Sequence, residues 1–469
     1  MPGALSTCRL RRAVFALFLL PALLAGCAVA SRAPGEPPAV AAPDSGVTLA
    51  QWWQRFDDSL LTQLIEQALQ ANADVRSARA ALRQARALRD TKAAALQPRV
   101  NAAASVQASS SASNETVNTY QLGFDASWEP DIFGAQRSAL NATEADARAA
   151  QSSLGQVQVS LAAEVAVTYL ELRGLQARLV IAQRNLAAQQ EILQITRWRV
   201  QAGLASSLDA EQAASASEQT AAQIPVLATS LAQSRSSLAV LTGQAPTALD
   251  SELAVAGDAP VRVPAPQAAL AQSIPAQTLS QRPDVHAAEY RVQAALARLD
   301  QAQAARYPSV QLSGSLDLRS LALATLTDGA SVLRSLLASI SVPLFDGGAT
   351  RAQVQAQDAV LEQARAAYAA VVLTALKDVQ DALVALQQDR ERLQHWQAAA
   401  AAAANAELLA RQRYTSGLID FRVVLDTQRT LLSTQDAVQS TQVSLSADHV
   451  RLYKALGGGW TPDAETPLE

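Results

Sequence analysis

Two cysteines, one methionine, three histidines and 4% aromatic residues are a thin supply of reactive and bulky side chains for a chain of 469 residues. Cys8 and Cys27 both sit close to the N-terminus, so no disulfide framework staples the rest. His286, His395 and His449 are scattered on helical stretches, and none has an i,i+4 partner suited to a metal. No G-x-S-x-G occurs, and Gly457-Gly458-Gly459 ends a helical pattern instead of opening one after a strand. No enzyme, cofactor or metal site is expected. Past the N-terminus no long apolar run occurs, which excludes a multi-pass helical membrane protein. Charged residues make up only 17% and the net charge is −4, which excludes a disordered chain and gives a nucleic-acid partner no electrostatic support.

What is abundant is alanine, roughly a fifth of the chain. Alanine is the best helix former and buries little surface, so the composition fits long helices at close range better than a thick globular core.

Arg9, Arg11 and Arg12 precede an apolar stretch, Ala13 to Leu24, and then Leu24-Ala25-Gly26-Cys27. This reads as a secretory signal over residues 1–26. The tetrad resembles a bacterial lipobox, in which Cys27 becomes the lipidated first residue; the alternative is an ordinary signal peptide with an incidental cysteine. Cleavage there removes three arginines and no acid, taking the formal charge from −4 to −7. Residues 27–50, rich in Ala and Pro, read as a tether.

The remainder is written twice. Asp74-Val75 stands 24 residues before Pro98, and Asp284-Val285 stands 24 before Pro308, an offset of 210. Pro130-Asp131-Ile132-Phe133-Gly134 corresponds to Pro343-Leu344-Phe345-Asp346-Gly347. Arg197-x-Arg199-x-x-x-Gly203-Leu204 recurs as Arg411-x-Arg413-x-x-x-Gly417-Leu418 at an offset of 214. The first repeat covers 51–256 and the second 257–469, each with a helix, two strands and a long helix pair. Strands are expected at about 98–131 and 308–343, helix pairs at about 135–243 and 349–456, then a C-terminal tail.

Residues 120–129 and 310–319 alternate strictly, with Leu122, Phe124, Ala126 and Trp128, or Val310, Leu312, Leu316 and Leu318, on one face. Period two over about ten residues fits strands that cross a bilayer at a tilt. Weaker alternation occupies 99–109 and 332–342, with loops expected at 109–118 and around Thr327-Asp328-Gly329. Trp128, Phe133, Tyr307 and Phe345 fall at the strand ends adjoining helices, as an aromatic belt at one membrane interface requires. From Thr350 to Ser416 there is neither glycine nor proline, a helix about 100 Å long. Its counterpart, 135–202, has Gly155 and Gly174 as weak points. Four strands cannot close a transmembrane barrel, whose smallest form has eight, and open edges are forbidden in lipid. The chain must therefore share its barrel with other copies.

These features resemble the outer-membrane factor family, the TolC/OprM type, and its NodT-like lipoproteins. The resemblance rests on WWQRFDDSLLTQLIEQALQANADV (52–75), FDASWEPDIFG (124–134), LSQRPDVHAAEYRVQAALA (279–297), ISVPLFDGG (340–348) and LYKALGGGW (452–460). It implies an α+β membrane protein, a homotrimer with a 12-stranded outer-membrane barrel, four strands per protomer, continued by a periplasmic helical barrel. It further implies the passive exit duct of a tripartite efflux system, working with a periplasmic adaptor and an inner-membrane pump, usually of the resistance-nodulation-division class. The outer-membrane duct of a type I protein secretion system shares the fold and stands as the alternative.

Within that resemblance, Ala202, Gly203 and Leu204 and Ser416, Gly417 and Leu418 match the tip contacted by the adaptor. C-capping accounts for each glycine but not for the leucine after it in both copies. Asp209, Asp426 and Tyr414 match residues of the closed periplasmic gate. The family arginine two residues past the second glycine is replaced by Ile419, with Arg422 as a candidate substitute. The alternative for Asp209 and Asp420 is that they complement helix N-termini.

Overall fold

A computed structural model describes residues 49–110, 116–254, 261–266 and 281–460. The signal segment, Cys27 and nearly all of the tether lie outside the described residues, as does the tail from 461. After a 3-10 turn at Leu49–Phe56, the first half contains α1 (Ser59–Ala71), α2 (Ala73–Ala94), β1 (Arg99–Ser110), β2 (Thr116–Trp128), α3 (Ala135–Gln201) and α4 (Ser207–Leu241). The second contains α5 (Pro283–Ala304), β3 (Ser309–Ser320), β4 (Val332–Ser341), α6 (Ala349–Thr415) and α7 (Phe421–Ala455). The repeats agree in length: α3 and α6 each have 67 residues, α4 and α7 each 35. A 67-residue helix is about 100 Å long. Among the described residues no helix is long and apolar enough to cross a membrane.

The repeats also agree in how their helices begin and end. The Asp131 carboxylate accepts the Gln136 and Arg137 backbone N–H groups at 3.1 and 2.8 Å, opening α3. Asp346 does the same for α6, accepting the Gly348 and Thr350 N–H groups at 2.9 and 2.8 Å and the Thr350 hydroxyl. These bonds, the hydroxyl's foremost, hold the Asp346 carboxyl down at about 2. At the other end of each repeat, Asn72 Nδ2 donates to the last carbonyl of α4, Leu241 O, at 3.0 Å. Arg282, 210 residues on, donates from Nη1 to the last carbonyl of α7, Ala455 O, also at 3.0 Å. Side chains of different chemistry thus close the same loop in the two copies.

The four strands form one antiparallel sheet in the order β1-β2-β3-β4, so the β2–β3 pair joins the two repeats. Phe124 pairs with Leu316, Leu122 with Leu318 and Ala126 with Gly314. Directly opposed residues share a face, so the apolar sets of neighbouring strands coincide. Val100, Ala102, Ala104 and Val106 extend that face into β1, and Val332, Leu336 and Ile340 into β4. The Ser/Asn-rich region expected as a loop over 109–118 is partly strand: Ser109 pairs with Val117 and Ser110 with Thr116. Polar residues continue a ladder wherever backbone groups find partners, which the alternation pattern does not register. The β3–β4 connection carries two short 3-10 turns, Leu323–Thr325 and Gly329–Ser331.

The main buried cluster lies where the 3-10 turn and α1 press against the middle of α3 and the ends of α4 and α7. Trp52 stacks on Tyr453 with ring centroids 5.2 Å apart, surrounded by Leu64, Ile65, Val165 and Leu238. Tyr169, fully buried, donates its hydroxyl to Asp58 Oδ2 at 2.9 Å, while Asp58 Oδ1 caps α1 at the Leu61 N–H. Burial, reinforced by that carboxylate, pushes the Tyr169 phenol up. Gly155 and Gly174 are sites of close approach, not weak points. A Cβ at Gly155 would stand 2.4 Å from the Trp460 ring, and one at Gly174 would stand 2.2 Å from Val443.

Candidate functional site

The turns α3–α4 and α6–α7 close the ends of α3 and α6 in the same way. Gly203 and Gly417 adopt φ of 69° and 74°, a left-handed conformation that favours glycine. Gly203 N–H bonds Val200 O at 3.0 Å and Leu204 N–H bonds Arg199 O at 2.7 Å. Gly417 N–H bonds Tyr414 O and Leu418 N–H bonds Arg413 O, both at 2.9 Å. Each is a Schellman cap, whose residue after the glycine ordinarily folds back onto the helix through an apolar contact. Here that residue is leucine and stays outside: Leu204 is 71% exposed and Leu418 73%. Ala202 and Ser416, the C-cap residues, are exposed as well.

The two turns are tied side by side. Arg199 Nη1 donates to Tyr414 O at 2.6 Å and its guanidinium lies 4.6 Å from the Tyr414 ring centroid. The Tyr414 hydroxyl is 3.2 Å from Thr196 Oγ1, and its ring is 5.7 Å from that of Phe421. Tyr414 is therefore buried inside the protomer, in a cluster with Ile192, Ala213, Val424 and Leu425. Higher up, Arg411 pairs with Glu191 at 2.7 Å and Arg178 with Asp436 at 2.6 Å, again joining the repeats.

The acids divide. Asp209 forms a capping box with Ser206: its N–H donates to Ser206 Oγ at 3.2 Å, and its Oδ2 accepts the Ser206 N–H and hydroxyl at 3.1 and 2.8 Å. The helix-terminus role is thus filled by Asp209 within the protomer. Asp420 occupies the N-cap of α7, but its side chain makes no capping bond. Asp420, Arg422 and Asp426 are exposed and, among the described residues, form no ion pair. Ile419 is half-buried against the Tyr414 cluster.

At the far end of α3 and α6, Trp128 donates its indole N–H to Leu96 O at 3.0 Å. Phe133 and Tyr307 stack at 5.2 Å, and Phe345 is almost wholly exposed. All four lie where strands give way to helices, beneath a sheet whose apolar face is bare: Phe124, Leu316, Leu336 and Ile340 are exposed.

A helical shaft ending in exposed leucines and topped by a sheet with a bare apolar face is a duct's architecture, and sequence comparison agrees. The family model described as outer membrane efflux protein matches residues 64–244 and 274–458. The chain belongs to this family. It is 32% identical over 431 residues to the toluene efflux pump outer membrane protein TtgF of Pseudomonas putida, covering 89% of this chain and 87% of that one. The pyoverdine export outer membrane protein OpmQ of Pseudomonas putida is 33% identical over 430 residues, 89% of each chain. Among solved structures, the outer-membrane channel OprN superposes with a TM-score of 0.83 at 37% identity, covering 89% of this chain and 94% of that one.

As a member of the outer membrane efflux proteins, the chain is an outer-membrane efflux channel and not an enzyme. The relatives carry efflux and export names, which favours efflux over protein secretion. Arg199, Thr196 and Phe421 escaped the sequence reading. Arg199 stands inside the repeated Arg-x-Arg motif, but a repeat gives no sign of which copy's arginine reaches across to the other turn.

Proposed function

We propose that three copies of this chain close a 12-stranded barrel in the outer membrane and a helical barrel beneath it, forming the passive exit duct of a tripartite pump for small molecules. The observation that carries the assembly is the sheet itself: four strands, bare on one face, with the outer edges of β1 and β4 unpaired among the described residues. Lipid tolerates neither an open edge nor so small a barrel. Cys27 carries the lipid anchor, and Trp128, Phe133, Tyr307 and Phe345 mark the periplasmic interface.

Ala202, Gly203, Leu204, Ser416, Gly417 and Leu418 form the tip that receives a periplasmic adaptor, which connects the duct to an inner-membrane transporter of the resistance-nodulation-division class. Exposed leucines held on rigid caps in both repeats support this, because a cap alone has no use for them. Asp420, Arg422 and Asp426, without an ion pair among the described residues, meet their counterparts around the three-fold axis and line the gate. Tyr414 and Asp209 hold the gate's shape, the one by packing and the other by capping. Converging carboxylates favour cations. Beyond that charge preference, the exported molecule is chosen largely by the pump.

Replacing Leu204 and Leu418 together by aspartate tests the reading. Efflux in a cell that also supplies the adaptor and pump is expected to be lost, while trimers and single-channel conductance persist. Retained efflux would overturn the tip assignment.

A further inference from the structure

One basic residue breaks the apolar face of the sheet. Arg334 in β4 pairs directly with Leu316 in β3, two pairs in from Leu318–Val332. Opposed residues in an antiparallel pair share a face. Arg334 therefore stands on the side of Leu312, Leu316, Leu336 and Phe124, not among Ser313, Ser315, Asp317 and Arg319. Leu336, two residues on, is 85% exposed and Leu316 is 49% exposed. Arg334 is itself exposed, and among the described residues it makes no ion pair or side-chain hydrogen bond, with Asp317 and Asp328 or any other acid.

Its depth follows from the topology. The helices leave the sheet at residues 99, 128, 309 and 341, so the β3–β4 loop, 321–331, marks the opposite end, outside in a channel whose helices occupy the periplasm. Arg334 lies two residues below Val332, the first residue of β4, or roughly 7 Å along the strand. A charge there is too shallow to be prohibited, because an arginine stem can cover apolar neighbours such as Leu316 and Leu336 while its guanidinium reaches the headgroups. The guanidinium's planar fork matches two phosphate oxygens at once, which a solvated point charge does not.

We propose that Arg334 holds a phosphate of an outer-leaflet lipid headgroup, with that lipid's acyl chains against Leu316 and Leu336. This rests on the barrel reading above, which turns the apolar face toward lipid. Because β4 is an edge strand of the protomer sheet, the site falls at the seam between copies, and each trimer carries three.

Native mass spectrometry of the detergent-solubilised full-length protein tests this, reading the mass of the assembly and its lipid adducts in the same spectrum. The probes are lipid A with both phosphates, the same lipid enzymatically dephosphorylated, and inorganic phosphate in excess as competitor. The wild type is expected to retain the phosphorylated lipid at least about fivefold over the dephosphorylated form, with inorganic phosphate failing to displace it. Arg334→Gln should abolish that preference and Arg334→Lys should keep part of it, all three proteins remaining trimeric. Equal retention by wild type and Arg334→Gln would overturn the proposal. So would displacement by inorganic phosphate, which would reveal a free-anion site. An assembly other than a trimer would overturn the barrel reading as well, and is recognised by its mass.

Discussion

The Arg199 guanidinium holds Tyr414 twice, donating to its carbonyl oxygen at 2.6 Å and lying 4.6 Å from its ring centroid. The two residues come from different repeats, so one side chain joins the α3–α4 and α6–α7 turns at the end of a shaft about 100 Å long. A hydrogen bond from a charged donor contributes about 1.5–3 kcal/mol and a cation–π contact about 0.5–2 kcal/mol. Either turn can swing only after this joint yields.

Arg199→Ala is accordingly expected to loosen the tip. Single-channel recordings in planar bilayers should show higher conductance, or more frequent visits to a high-conductance state, than the wild type. Arg199→Lys, which keeps a charge but loses the fork and much of the stacking, should fall between them. Identical conductance in all three would show that the joint does not restrain the gate.

The loop-closing side chains should differ in what their loss costs. Asn72→Ala removes the N-cap of α2, whose Oδ1 accepts the Asp74 N–H at 2.8 Å, and the bond to Leu241 O, for about 1 kcal/mol. Arg282 is 8% exposed and is bound by Asp284, at 3.0 and 2.7 Å, and by Asp378 at 3.2 Å. Breaking such a group costs nearer 3 kcal/mol, because Asp284 is left without its partner. Against the opposing effect of burial, Arg282 holds the Asp284 carboxyl below its ordinary value of 3.8. A depressed carboxyl contributes stability above that ordinary value and loses it as pH falls through the lower, folded one. Urea midpoints measured at falling pH should therefore show an acid limb below about pH 4 that is flattened in Arg282→Ala.

His449 gives a second pH dependence at milder values. Burial foremost, and Arg390 after it, push its imidazole down from 6.5 to about 4. The unfolded chain takes up this proton first, so stability is full above about pH 6.5 and falls as pH drops toward 4, by about 3 kcal/mol at most. Neighbouring Asp448, pushed up by burial, titrates in the opposite sense and offsets part of the loss at the acid end. His449→Gln should flatten the stability curve between pH 6.5 and 4, as read from urea midpoints. An unchanged slope would place the proton uptake elsewhere.

Much of this architecture was legible because it is periodic or repeated. Strand faces followed from alternation at 120–129 and 310–319, and the long helices from the absence of glycine and proline over 350–416. Contacts between distant residues carried no such signal. The reach of Arg199 to Tyr414, the meeting of Gly155 with Trp460, and the equivalence of Asn72 and Arg282 as loop closers depend on three-dimensional proximity between unlike side chains. Asp209 carried two readings in the sequence, gate acid or helix cap. Its three bonds with Ser206 show the cap, because the capping box is a local motif.

The shared barrel is tested most directly by covalent closure of its seams. Mature protein carrying one cysteine in β1, at Ala104, and a second placed in turn at alternate positions of β4 is oxidised in the membrane, denatured and sized without reductant. The β1 and β4 edges lie on opposite sides of the protomer's sheet, so no bond within a chain is available. At the matching register the protein is expected to run as a ladder that ends at three chains. Monomers at every register, or a ladder that continues past three, would contradict the 12-stranded trimer.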